Sequence, residues 1–153
     1  MIAFPPCTFL TVTANRSFLN NPERWEKRLE AVKFVYNLMN INIDFIAIEN
    51  PKGVLSTHIR TPDQYIQPYE FGHHDSKTTG LWLKNLLLLE PTKIVEPKWV
   101  YPKSGSGKRM SITHANNPST NNPKNALMRS KTYNGIADAM AEQWTEYYLN
   151  KNK

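Results

Sequence analysis

The sequence has one cysteine, Cys7, among 153 residues. An internal disulfide and a multi-cysteine zinc site are therefore excluded. Its glycines number six, and none precedes Gly53. Open α/β sheets hold a cofactor on a glycine-rich loop after the first strand, and the first third of this chain has no such loop. No apolar run approaches the roughly 20 residues of a membrane span. The N-terminus lacks the basic start and apolar core of a signal peptide. A cytoplasmic protein with no membrane partner is expected, and no internal repeat is present.

The remaining composition suits one globular domain, 40% apolar and 21% charged over 153 residues. Lys and Arg total 19 against 13 Asp and Glu, and the net charge of +6 leans toward a polyanionic partner. His73-His74 does not amount to a metal site: neighbouring histidines on extended chain point apart, and no third ligand has a useful spacing. No metal is expected.

Two stretches organise the rest. Met1-Ile2-Ala3-Phe4 is a short apolar run that stops at Pro5-Pro6 and then presents Cys7. Residues 43–51 form a longer apolar run that stops at Glu49-Asn50-Pro51. Each reads as a buried strand with a chemically capable group beyond its C-terminal end, where open sheets bind ligands. Parallel neighbours would bring Cys7 and Glu49 to one cleft. Between them, Asn21-Pro22-Glu23 starts a helix with a cap, a first-turn proline and an acid on the dipole. That helix runs to near Asn40. Trp25, Leu29, Val32, Tyr36 and Met39 recur at helical spacing and are expected to face the core.

Pro5-Pro6-Cys7 resembles the Pro-Pro-Cys loop of carbon-5 DNA cytosine methyltransferases, and Glu49-Asn50 resembles their Glu-Asn motif. The wider text is similar to small phage and prophage proteins of that family over 4–9, 48–57, 62–92 and 129–144, about half the chain in the same order. Relatives begin with a strand and glycine-rich loop that hold S-adenosylmethionine, and this chain starts after that segment. The resemblance implies a partial Rossmann-like methyltransferase sheet, mixed and few-stranded, truncated at its cofactor-binding half. It implies Cys7 as the nucleophile on carbon 6 of cytosine and Glu49 as the acid near N3. It also implies Pro6, Asn50, Lys77 and Arg60 as substrate-binding residues. No residue is assigned to the cofactor.

Elsewhere, 8–20 is expected to be a loop, and Pro62 to prevent a long helix at 56–67. The same resemblance implies an apolar strand at Leu81-Trp82-Leu83, and Leu86-Leu87-Leu88-Leu89 reads as core. A flexible basic loop is expected over 104–125. Ile136, Met140, Trp144 and Tyr147 mark one face of a last helix.

Three functions are compatible with this pattern. One is the base-handling part of a cytosine methyltransferase that needs a separate N-terminal half or a second subunit. The second is a catalytically inactive protein that binds nucleic acid or a nucleotide in phage–host conflict. The third is different chemistry at Cys7 and Glu49 without that cofactor. An edge strand at Met1 to Phe4 would expose unpaired backbone, so a homodimer is expected.

Overall fold

The computed structural model describes residues 1–101, 108–118 and 122–151. Although the sequence reads as a single domain over 1–153, the chain groups into two compact units, Met1–Ile66 with Thr78–Leu88 and Gln67–Lys77 with Leu89–Lys153. Both are mixed α and β.

The first unit is built on a four-stranded sheet. It contains β1 (Ile2–Ala3), a 3-10 helix (Val12–Phe18), α1 (Pro22–Asn40), β2 (Ile46–Pro51), α2 (Leu55–His58), β3 (Gln64–Ile66) and β4 (Thr79–Lys84). The strand order is β1-β2-β4-β3, with β1 parallel to β2 and the other pairs antiparallel. The sheet is therefore small and mixed. Its parallel pair is joined through α1, because parallel neighbours need a long crossover. The α1 start is as the sequence predicts: Asn21 Oδ1 accepts the Arg24 N–H at 3.0 Å, and Pro22 opens the helix.

Alternation puts Ile46, Ile48 and Asn50 on one face of β2, with Trp82 opposite Ile48 on β4. Ile46, Ile48 and Trp82 bury against Leu10, Val35, Val54 and Leu55. The helix meets this core on a face that only partly overlaps the one its periodicity suggests: of the five expected residues, Val32 and Met39 pack against it. Val35 and Arg28 are the buried positions, with Ala31, Val32, Leu38 and Met39 beside the core. Trp25, Leu29 and Tyr36 are 46%, 66% and 54% exposed. Two stripes share the helical period, and the one that folds inward contains an arginine, which a count of apolar residues passes over.

Other local expectations also shift. Residues 12–18 form a 3-10 helix inside the expected loop. Of the leucine block, Leu89 is buried while Leu87 and Leu88 are exposed, so the block is not core as a whole. The second unit holds a short 3-10 turn (Pro68–Glu70), β5 (Trp99–Val100), β6 (Met110–Ser111), α3 (Ile112–Asn116), α4 (Pro123–Ser130) and α5 (Asn134–Lys151). The expected loop over 104–125 thus contains β6, α3 and the first turn of α4, while 104–107 and 119–121 lie outside the described residues. On α5 the buried face is Ile136, Ala139, Met140 and Trp144, as the spacing predicts for three of the four.

Gly53 lets the chain that follows Cys7 lie against the end of β2. A Cβ at Gly53 would stand 2.1 Å from the Leu10 carbonyl oxygen. That carbonyl accepts the Val54 N–H at 2.8 Å. Gly53→Ala is expected to destabilise the protein by about 1–3 kcal/mol, read as a lower urea midpoint. An unchanged midpoint would mean that this contact relaxes without cost.

Candidate functional site

The parallel β1–β2 ladder explains how the two sequence motifs meet. Ile2 pairs with Ala47 and Ala3 with Ile48, and the Met1 carbonyl accepts the Ala47 N–H at 2.9 Å. Carried forward, this register puts Pro5 beside Asn50. The next ladder bonds would need N–H groups on Pro5 and on Pro51, and proline has none. The backbone pairing must stop there. The Asn50 side chain replaces it: Asn50 Nδ2 donates to the Pro5 carbonyl at 2.9 Å. Asn50 is 1% exposed, and its Oδ1 is buried with no partner.

Asn50 therefore anchors the Pro5-Pro6-Cys7 turn from inside the protein. Its amide nitrogen is engaged with the loop that leads to Cys7. Pro6 is exposed and Cys7 half-buried at the start of a tight turn. The Cys7 carbonyl accepts the N–H of Leu10 at 2.9 Å and of Thr11 at 3.2 Å. Glu49 is half-buried on the opposite face of β2 from Asn50, paired in register with Leu81. Cys7 thus lies four residues past the end of β1, in the turn, while Glu49 lies inside β2 rather than beyond its end as the sequence suggests, because the antiparallel pairing with β4 continues to Pro51.

Arg60 and Lys77 stand differently. The Arg60 guanidinium donates to Asp63 at 2.9 Å, to the Thr61 carbonyl at 3.1 Å and to the Leu83 carbonyl at 3.2 Å. Its own carbonyl accepts the Trp82 indole N–H at 2.8 Å. Burial pushes the Asp63 carboxyl up, but the bonds from Arg60 and the Leu83 N–H outweigh this and hold its pKa below the ordinary value. Arg60 thus ties the 60–63 turn to β4. Lys77 belongs to the second unit, where its N–H donates to Gln67 Oε1 at 3.1 Å.

The second unit has a polar cluster that sequence patterns did not mark. Asp75 is buried and accepts the Tyr133 hydroxyl at 2.6 Å, the Thr113 N–H at 3.1 Å and the Ser76 N–H at 2.8 Å. Burial pushes the Asp75 carboxyl up, yet these donors win and leave its pKa below the usual carboxylate value. Burial, together with Asp75, pushes the Tyr133 phenol well above its ordinary value. Nearby, His73 Nε2 accepts the Gly135 N–H at 3.0 Å, while His74 Nδ1 bonds the Glu96 carbonyl at 2.7 Å. The two histidines serve different partners, and no group of three metal-ligating side chains converges among the described residues.

Among the described residues, the turn after β1 opens with two prolines, which offer no N–H to the carboxylate of S-adenosylmethionine. The open side of three described glycines is closed by the chain itself, Leu10 at Gly53, Trp82 and Pro62 at Gly80, and Phe71 at Gly135, while Gly72 has only the Lys93 side chain nearby. No family model, no curated protein and no solved structure matches the chain. No helix among the described residues is long and apolar enough to cross a membrane.

Two outcomes follow from this geometry. Asn50→Ala leaves the Pro5 carbonyl without its donor, at an expected cost of about 1–3 kcal/mol. Asn50→Asp should cost more, since a carboxylate cannot donate and its charge would be buried. Equal urea midpoints for wild type and Asn50→Ala would remove Asn50 from the anchoring role. For Asp75, the folded pKa lies below the unfolded value of about 3.9, so its contribution is present above about pH 4 and disappears as pH falls through the folded pKa. Tyr133→Phe should lower stability at pH 7 and flatten the acid limb of an unfolding series. An identical acid limb in that variant would show that Asp75 does not depend on Tyr133.

Proposed function

We propose that this chain handles a cytosine base at Cys7, as the base-binding part of a carbon-5 DNA cytosine methyltransferase with a partial Rossmann-like sheet. The observation that carries the reading is the Asn50 bond to Pro5, which joins the Pro-Pro-Cys and Glu-Asn motifs into one construction. In this reading the Cys7 thiolate adds to carbon 6, and the Glu49 carboxyl gives a proton to N3 as the ring takes up the electron pair. Carbon 5 becomes nucleophilic. Reversal expels the thiolate and returns the proton to Glu49. Thiolates are the side chains best suited to such addition near neutral pH, and a half-buried carboxyl suits the proton transfer. The base must leave its stack to be reached.

The methyl donor would be held by residues outside this site, on a separate N-terminal half or a second copy. β1 ends the strand order, with Ile2 and Phe4 exposed, and an edge strand is a template for pairing. A homodimer through β1 accounts for that edge. A second reading, a catalytically inactive nucleic-acid- or nucleotide-binding protein, is favoured by the poor fit of the glycines and the β1 turn to the donor.

Addition at carbon 6 makes the hydrogen on carbon 5 exchange with water, and this needs no donor. Release of tritium from cytosine DNA labelled at carbon 5 is therefore the test. Release by wild type, lost in Cys7→Ser and reduced in Glu49→Gln, is expected. A rate per chain that rises with protein concentration would report assembly through β1. DNA binding without tritium release would sink the cytosine chemistry and leave the binding reading.

A further inference from the structure

Arg24 and Arg28 stand one turn apart on α1, and both guanidinium groups lie against one set of rings. The Arg24 guanidinium carbon is 4.9 Å from the Phe18 ring centre and 5.2 Å from that of Phe9. The Arg28 carbon is 3.6 Å from the Phe18 centre and 5.2 Å from that of Trp25. Phe18 and Trp25 meet edge to face at 5.2 Å. A buried charge ordinarily has a counter-charge, and neither arginine meets a carboxylate among the described residues. Glu23, the acid of the first turn, is paired with Lys27.

The two cations are not equivalent. Arg28 is 3% exposed and donates to the Phe9 carbonyl at 2.8 Å, the Thr11 carbonyl at 3.3 Å and Asn15 Oδ1 at 3.0 Å. Those neutral acceptors give it a structural task, pinning the chain that follows Cys7. Arg24 has no such task. Among the described residues its side chain makes no hydrogen bond, and its Nε is buried without a partner. Ring faces alone would explain a cation parked on an aromatic surface, but they supply no acceptor for that N–H. Burial and the charge of Arg24 lower the Arg28 pKa, as expected for like charges with no anion between them. The helix start adds partial positive charge. Trp25, nearly half exposed, offers a ring face beside the pair.

We propose that Arg24, backed by Arg28, binds a phosphate of a single-stranded nucleic acid, with Trp25 as the stacking surface for an adjacent base. Guanidinium groups beside an exposed ring are the means by which proteins hold single strands, and a phosphate oxygen would meet the outer N–H groups of the half-buried Arg24 guanidinium, which no carboxylate among the described residues neutralises. The proposal uses the nucleic-acid part of the function proposed above and none of its chemistry at Cys7.

The test is fluorescence anisotropy of a labelled 12-nucleotide oligothymidylate over a salt series. Arg24→Ala should weaken binding about tenfold, the loss of one charge-assisted contact. The slope of log K against log salt should fall by about 0.7. Arg24→Ala keeps the helix cap, which uses the backbone N–H of residue 24. Arg28→Lys, which keeps the charge, should retain the slope, and Trp25→Leu should weaken binding without changing it. Cys7→Ser should bind as wild type does, so failure of the cytosine chemistry would leave this result standing. Wild-type affinity and slope in Arg24→Ala would overturn the site, as would the absence of wild-type binding at 50 mM salt. Equal Arg24-dependent affinity for a duplex of the same length would overturn the single-strand assignment.

Discussion

Two prolines, one on each strand, occupy the positions from which the β1–β2 ladder would draw its next pair of N–H donors, and a side-chain amide takes over from the backbone there. Pro5 and Pro51 are both unable to donate, so the strands must separate at that level. The Pro5 carbonyl would be left buried and unpaired, a cost of about 1–3 kcal/mol. Asn50 Nδ2 removes that cost. The position of Cys7 follows from it, because the chain turns as soon as the ladder ends and the Cys7 carbonyl closes the turn onto Leu10 and Thr11. The packing of Leu10 against Gly53 then fixes the far side of the same turn.

Arg28 continues this construction. Its bonds to Phe9 and Thr11 hold the segment after the turn against α1. The core face of α1 is thus set partly by where an arginine finds carbonyl acceptors, and the apolar stripe of Trp25, Leu29 and Tyr36 is left outward. Polar groups without regular partners recur through the first unit: Asn50 for the missing ladder donors, Arg28 for an irregular segment, and Arg60 for the turn into β3. Each joins parts of the chain that the sheet does not pair.

Local signals in the sequence identify β2, the Asn21 cap and most of the inward face of α5, because each depends on residues a few positions apart. The side-chain anchors were not visible in the same way. Asn50 and Pro5 are 45 residues apart, and nothing near Asn50 distinguishes an anchor from a substrate contact. Asp75 and Tyr133 are separated by 58 residues. The spacing of Arg24 and Arg28 was open to reading, but their shared aromatic surface depends on Phe9 and Phe18 returning from outside the helix. The leucine block at 86–89 misled because a run of one residue type carries no period to say which member faces inward.

The compact units are interleaved along the chain. The first comprises Met1–Ile66 and Thr78–Leu88, so the chain leaves it after β3, contributes Gln67–Lys77 to the second unit, returns for β4, and leaves again. β3 and β4 are antiparallel neighbours whose connection belongs to the other unit. Neither unit corresponds to a contiguous stretch of coding sequence. An exchange of one contiguous segment between genes could therefore not carry the first unit without also carrying part of the second.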